Sequence, residues 1–299
     1  MIYDIRHVTT YTYDAPVAYS LCALRLSPTS RTGQRVINVQ IDIDPPAAKR
    51  VQHTCFFGND FEIVHIEAEH RELTVSARAR IAVARPVPPA ITTDWEEVRQ
   101  EAFSVKDIGP RSPAHFIYAS RVVTLDEPVV DYARKSFPAG RQVLNGAVDL
   151  MARIWDDFDY DPKATLVSTP LGEAFAKKRG VCQDFAHIML AGLRGVGLPA
   201  RYVSGYLRTV PPPGKERLEG ADATHAWVSV WCGELDGWVG LDPTNNIFVG
   251  DDHIILAEGR DYADVAPING VILSSGDQDV EVAVDVIPVK SDNAPPTFA

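Results

Sequence analysis

The sequence predicts an α+β protein in which an antiparallel β-sandwich-like domain precedes a core of helices packed on an antiparallel β-sheet. Two patterns support this prediction. Apolar and polar residues alternate through much of residues 1–85, which is typical of strands with one face in water. From residue 94 to about 195, apolar residues instead recur every three or four positions, as on one face of a helix. Alternation returns after residue 200.

The composition is that of an ordinary soluble protein. The chain has 299 residues, of which 45% are hydrophobic and 23% charged, enough for one large or two ordinary domains. Its net charge of −11 argues against nucleic acid and anionic membranes as main partners, since both would repel it. We see neither a signal-peptide pattern nor an apolar run approaching the ~18 residues of a membrane span, and therefore expect a cytoplasmic protein.

The N-terminal alternation is clearest at residues 3–13, 37–43 and 73–83. The tyrosines and histidines in these runs are expected to pack across strands. The proline-rich segment 85–89 breaks the pattern. We therefore predict an N-terminal β domain at residues 1–88, a core at 89–292 and a polar tail at 293–299.

Helical spacing begins after the break. Short helices are predicted near residues 95–103 and 129–137, and a longer one at 143–158. Thr169 and Pro170 provide a helix N-cap followed by proline in the first turn. We expect this next helix to close at Gly180 in the left-handed conformation.

A further helix begins at Cys182, which stands in its first turn on the apolar face. The residues of that face are Cys182, Phe185, Ala186, Met189, Leu190 and Leu193. The positive end of the helix favours a thiolate over a thiol. Because a cysteine on an apolar face is more often a small buried hydrophobe, a catalytic interpretation depends on partner residues later in the chain.

His225 and Asp242 lie on two predicted strands, 225–231 and 238–242. A nucleophilic thiol needs a base, and the base needs an orienting acceptor. A turn at Gly233-Glu234 would place His225 opposite Asp242, with Cβ atoms about 4.5–5.5 Å apart. The stronger hairpin signal, Asp236-Gly237, would instead pair Trp231 with Asp242. We favour the first register on chemical grounds, although His225 could be a packed strand residue and Asp242 could begin a turn.

Further segments precede and follow these strands. Residues 209–223 contain three consecutive prolines and are interpreted as either a flap over the site or a hairpin tip. Residues 254–256, 271–273 and 280–286 are predicted to be strands, the last of which closes the sheet.

Several segments resemble the transglutaminase-like superfamily, in particular bacterial members with an N-terminal β domain. They are Gly180–His187 (GVCQDFAH), Arg201–Tyr206 (RYVSGY), Thr224–Val228 (THAWV), Leu241–Asn245 (LDPTN), His7–Tyr13 and Gly259–Tyr262. The resemblance implies a papain-like fold with a Cys-His-Asp triad, here Cys182, His225 and Asp242.

The implied reaction is acyl transfer from an amide of a peptide or protein through a thioester. If water accepts the acyl group, the protein is a peptidase or amidase, which we expect. If an amine accepts it, the product is a crosslink. The Cys182 N–H is a predicted oxyanion donor, and the family adds an aromatic one, for which Trp155, Tyr160 and Tyr206 are candidates. Gln183 and Asp184 are further candidates for the oxyanion site or for residues that support the triad, and we interpret Asp184 and His187 as structural or supporting residues.

Two other interpretations compete with this one. The protein could be a binding scaffold with an inactive triad, or a metal hydrolase using Cys182, His187 and His225, although these lack a recognised ligand spacing. No metal or cofactor is expected, and the oligomeric state stays open. Cys22, Cys55 and Cys232 are interpreted as reduced thiols.

Overall fold

The N-terminal domain is a sandwich built from two antiparallel sheets. The computed structural model describes residues 1–209, 220 and 222–289. The first six strands are β1 (Ile2–Val17), β2 (Tyr19–Ser27), β3 (Gln34–Asp44), β4 (Lys49–Thr54), β5 (Asp60–Ile66) and β6 (His70–Val83). One sheet contains β1, β6 and β3, and the other β2, β5 and β4, each in that order. Their alternate side chains, such as Tyr3 and Ile5, form one buried cluster.

Helices follow the sandwich where the spacing predicted them. They are α1 (Trp95–Ser104), a 3₁₀ turn (Pro113–Phe116), α2 (Glu127–Arg134), α3 (Val143–Asp157), α4 (Leu171–Lys177) and α5 (Cys182–Gly195). The short strands β7 (Asp159–Tyr160) and β8 (Arg179–Gly180) pair in parallel. Helix α5 is buried from Asp184 to Arg194 and packs against α2 and the core sheet. None of the helices in the described ranges has the length and apolar character needed to span a lipid bilayer.

The core sheet is antiparallel and lies beside α5. Its strands are β9 (Ala200–Leu207), β10 (Ala223–Trp231), β11 (Trp238–Asp242), β12 (Ile247–Phe248) and β13 (His253–Gly259), arranged in the order β12-β11-β10-β9-β13. Ala226, Val228 and Val230 of β10 share one hydrophobic cluster with α5. This packing sets the start of α5 close to the sheet residues that carry the site.

The last strands correct the predicted use of the C-terminal segment. After the short helix α6 (Tyr262–Val265), strand β14 (Ile268–Leu273) pairs with β2 and β15 (Gln278–Pro288) pairs with β1. The predicted strand at 280–286 therefore pairs with the sandwich instead of closing the core sheet, and the strand at 271–273 also joins the sandwich. Alternation identifies a strand but does not name its partner. The predicted tail at 293–299 and most of the predicted flap at 209–223 lie outside the described residues.

The predicted end of the helix before Cys182 is also corrected. Helix α4 ends at Lys177, and Lys178, not Gly180, adopts the left-handed conformation, with φ of 51°. Gly180 is extended in β8, where a Cβ would lie 2.4 Å from the Asp184 Oδ2 atom. The glycine is therefore required by close packing rather than by backbone handedness.

Candidate active site

Cys182 is held at the start of α5 by a buried carboxylate. Asp184 accepts a hydrogen bond from the backbone N–H of Val181 at 2.8 Å and another from the hydroxyl of Thr165 at 2.6 Å. These bonds fix the turn that presents the half-buried, free thiol of Cys182. The N–H groups of a first helical turn have no acceptor within the helix, so they can bind a developing negative charge.

His225 lies between the other two predicted residues. Its Nε2 atom is 2.8 Å from the Asp242 Oδ2 atom, and the thiol of Cys182 lies within hydrogen-bonding reach of the ring. Because Nε2 faces Asp242, Nδ1 is the ring nitrogen left for the thiol. The structure therefore brings together the three side chains that the sequence selected.

The strand register that achieves this contact is neither of those predicted. Val228 pairs with Leu241 and Trp231 with Trp238, so the connection runs from residue 232 to 237. Continuing this register places Trp227, not His225, beside Asp242. His225 is two residues further along the same face, and diagonal neighbours of an antiparallel pair are about 7–8 Å apart, within reach of long side chains.

Asp242 is completely buried and accepts hydrogen bonds at both oxygens. The backbone N–H groups of Thr244 and Asn245 donate to Oδ1 at 3.0 and 3.3 Å. Oδ2 accepts from His225, from the Asn245 side-chain amide at 2.7 Å and from His253 Nε2 at 3.2 Å. Asn245 belongs to the Leu241–Asn245 motif, but we predicted no role for it. His253 was not predicted, because no local sequence pattern marks its position on β13.

Burial and hydrogen bonding act in opposite directions on this pair. Burial disfavours the charged form of His225, but hydrogen bonds to Asp242 and Cys182 outweigh it and raise the pKa of His225 to about 10. Burial likewise disfavours the Asp242 carboxylate, yet hydrogen bonds from His225, His253 and Asn245 hold its pKa well below the usual range. The favoured state at neutral pH is an imidazolium beside a carboxylate.

The metal-site alternative is not supported by the positions of its residues. Within the described residues, the group whose donor atoms are close enough to hold an ion is His225, Asp242 and His253, all within 4.8 Å, instead of Cys182, His187 and His225. The backbone N–H of Gly250 donates to Nδ1 of His253 at 3.2 Å. The ring proton is therefore on Nε2, which donates to Asp242 and offers no lone pair to a metal.

His187 lies in a different environment. Its Nε2 atom accepts a hydrogen bond from the Tyr262 N–H at 3.3 Å, and its ring packs against Tyr202 at 4.9 Å between centroids. Burial lowers the pKa of His187 to about 4. These contacts agree with the structural role predicted for it.

The candidate aromatic donors are distributed unevenly. Tyr206 is directed away from the site, because its hydroxyl is 2.9 Å from His7 Nδ1 within the sandwich core. Tyr160 pairs with Gly180, which precedes Cys182 in the chain by two residues, and partial burial followed by the charge of Cys182 raises its pKa. Trp155 is half exposed near the end of α3.

Two further residues complete the surroundings of the thiol. Gln183 donates to the Val167 carbonyl at 3.3 Å, so its amide holds a neighbouring loop. Buried Tyr202, which we did not select, has a pKa raised first by burial and then by the charge of Cys182. Its ring packs against those of His187 and Tyr262.

Comparison with known proteins identifies the family. Residues 3–82 match the bacterial transglutaminase-like N-terminal region, and residues 131–243 match the transglutaminase-like superfamily. An uncharacterized protein of Mycobacterium tuberculosis (strain ATCC 25618 / H37Rv) is 38% identical over 300 residues, covering 97% of this chain and 94% of the relative. The chain belongs to the transglutaminase-like superfamily. An uncharacterized Mycobacterium leprae protein is 31% identical over 284 residues, covering 94% of this chain and 96% of its own.

The fold is shared with a solved structure. A structure described as "a Putative Cysteine Protease from Cytophaga hutchinsonii" superposes with a TM-score of 0.73 at 20% identity, covering 100% of this chain and 94% of that one. The predicted α+β fold with an N-terminal β domain is thereby confirmed. Superfamily membership supports cysteine-dependent chemistry in general. A Pseudomonas aeruginosa protein-glutamine gamma-glutamyltransferase is 33% identical over 106 residues, covering 33% of this chain and 16% of the relative.

Proposed function

We propose that this protein cleaves an amide of a peptide or protein substrate through a thioester on Cys182, and that water accepts the acyl group. The observation that carries the proposal is the position of His225, within reach of the thiol and 2.8 Å from the buried Asp242 carboxylate. This is the relation that a nucleophile, its base and an orienting group require.

The steps follow from these positions. The Cys182 thiolate attacks the carbonyl carbon, and the oxyanion is stabilised by the Cys182 N–H at the start of α5, with Tyr160 as a side-chain donor. The carbon–nitrogen bond breaks as the His225 imidazolium gives its proton to the departing amine. Neutral His225 then takes a proton from water as the water attacks the thioester. The carbon–sulfur bond breaks, which releases the carboxylic acid and regenerates the Cys182 thiolate beside protonated His225. Asp242 orients the ring throughout.

Amine transfer is the second candidate. The Pseudomonas aeruginosa relative carries a gamma-glutamyltransferase name, and a base that activates water can also activate an amine. We favour hydrolysis because water needs no binding site of its own, whereas an amine acceptor must be bound in preference to water.

Covalent trapping tests the proposal. Wild type is incubated with peptide libraries rich in glutamine and other amides, with and without a lysine peptide, and quenched in acid. We expect an acyl adduct on the Cys182 peptide by mass spectrometry and a free acid as product. A crosslinked product would instead favour transfer.

Matched variants complete the experiment. Cys182→Ser should lose the adduct and the product, while Cys55→Ser, at another half-buried free cysteine, should keep both. Identical behaviour of wild type and Cys182→Ser would refute an acyl-enzyme mechanism and favour a binding scaffold.

We also propose a cytoplasmic location, which cell fractionation would test.

A further inference from the structure

His253 has a protonation state that its hydrogen bonds determine. Its side chain is buried. The backbone N–H of Gly250 donates to Nδ1 at 3.2 Å, and a backbone N–H cannot accept, so Nδ1 presents a lone pair. The single ring proton is then on Nε2, which donates to Asp242 Oδ2 at 3.2 Å. A second proton would have to displace the Gly250 bond.

This neutral donor shares an oxygen with His225. The same Oδ2 atom accepts from His225 Nε2 at 2.8 Å. Each donor to a carboxylate stabilises its negative charge and reduces its affinity for a further proton. Within the described residues, the titratable groups facing the His225 ring are Cys182 on α5, Asp242 on β11 and His253 on β13.

We propose that His253 is a positioning residue that holds the Asp242 carboxylate as a neutral donor and thereby limits how tightly that carboxylate retains the proton of His225. The role rests on the proposed function, in which His225 must release this proton to the departing amine and later accept another. A carboxylate without the His253 donor would stabilise the imidazolium more strongly and make it a weaker acid.

The prediction concerns the protonation equilibrium of His225, which can be measured without a substrate. A Cys182→Ala background removes one of the side chains that raise the pKa of His225. We therefore expect His225 to titrate at a lower pH in this background, where ¹⁵N NMR of the imidazole nitrogens can follow it. Within this background, His253→Phe keeps a ring but removes both nitrogens. We expect the His225 midpoint to rise by about one pH unit, the size of one lost hydrogen bond to a charged group.

Two variants separate this role from a structural one. His253→Gln can donate to Asp242 and accept from Gly250, so the His225 midpoint in this variant should stay near that of the background protein. His7→Phe is the matched control: His7 is another buried histidine, bonded to Tyr206 and Thr9 at 2.9 Å each, and it lies in the sandwich. Its loss should lower stability and leave the His225 midpoint unchanged.

Two results would overturn the proposal. One is a His225 midpoint that moves no more in His253→Phe than in His7→Phe. The other can be measured in wild type even if His253→Phe does not fold: a His253 ring that carries its proton on Nδ1 instead of Nε2. Failure of covalent trapping at Cys182 would refute the proposed function without changing either NMR measurement.

Discussion

Asp242 combines complete burial with a full charge, and it tolerates both because donors from three segments converge on it. The backbone N–H groups of residues 244–245, in the loop after β11, donate to Oδ1. Side chains from β10, from β13 and from the same loop donate to Oδ2. A buried carboxylate without such partners would be neutral. The same arrangement that orients His225 therefore also determines how the stability of the fold depends on pH.

The Asp242–His225 pair should stabilise the fold over a defined pH range. A raised pKa of His225 gives stability that is complete below about pH 6.5 and is lost as pH rises through about 10. The lowered pKa of Asp242 gives stability that is present above about pH 4 and is lost as pH falls towards its folded value. Because both shifts describe one ion pair, its contribution is greatest between about pH 4 and 6.5 and declines above that range.

Asp242→Asn tests this range by urea unfolding at pH 5, 7 and 10.5. Removing one partner of a buried pair should reduce the free energy of unfolding by about 3–5 kcal/mol at pH 7, with a clearly smaller difference at pH 10.5. Asp279→Asn, at an exposed position on β15, serves as the control and should change little. A difference independent of pH would mean that Asp242 is neutral or unpaired in the folded protein.

At the scale of one element, Gly180 determines how α5 begins. A Cβ at this position would lie 2.4 Å from Oδ2 and 2.9 Å from Cβ of Asp184, the residue that caps the helix through Val181. Gly180→Ala should therefore displace the cap, with a cost of about 1–3 kcal/mol, and misplace the thiol. We expect slower alkylation of Cys182 by iodoacetamide, measured by mass spectrometry, together with a lower urea midpoint.

Gly250→Ala provides the comparison for that experiment. A Cβ there would contact nothing within 4 Å, and the φ angle of Gly250 is not in the left-handed region. Stability and the Cys182 labelling rate should both remain near wild type. If Gly180→Ala matched it in both measurements, the start of α5 would not depend on the absent side chain.

The periodicity of apolar residues predicted which helices and strands form but not how the strands pair. The spacing of apolar residues located α1 and α3, since one-sided burial determines it directly. It also located α5, although this helix is buried on all sides from Asp184 to Arg194. The β10–β11 register could not be predicted, because the six residues 232–237 form a longer connection than either two-residue turn we considered. Cys182, His225 and Asp242 were found through their order and local motifs. His253 reaches Asp242 only through the sheet, so no short-range pattern marks it.

At the scale of the whole molecule, the sandwich and the core are joined by the path of the chain and by one hydrophobic cluster. Strands β14 and β15 come from the C-terminal end of the chain but complete the N-terminal sandwich. Tyr206, Ile254 and Leu256 of the core sheet belong to the same buried cluster as Tyr3 and Ile5. Neither domain can bury its apolar surface fully without the other, so we expect them to unfold together.

The tryptophans allow this expectation to be tested. All five, Trp95, Trp155, Trp227, Trp231 and Trp238, lie outside the sandwich strands, so their fluorescence in urea reports the core. Hydrogen exchange of β1 peptides, measured by mass spectrometry in the same urea series, reports the sandwich. One cooperative unit should give coincident midpoints by both probes. A sandwich that lost protection while tryptophan fluorescence stayed native would show that the shared cluster and strands do not couple the two domains.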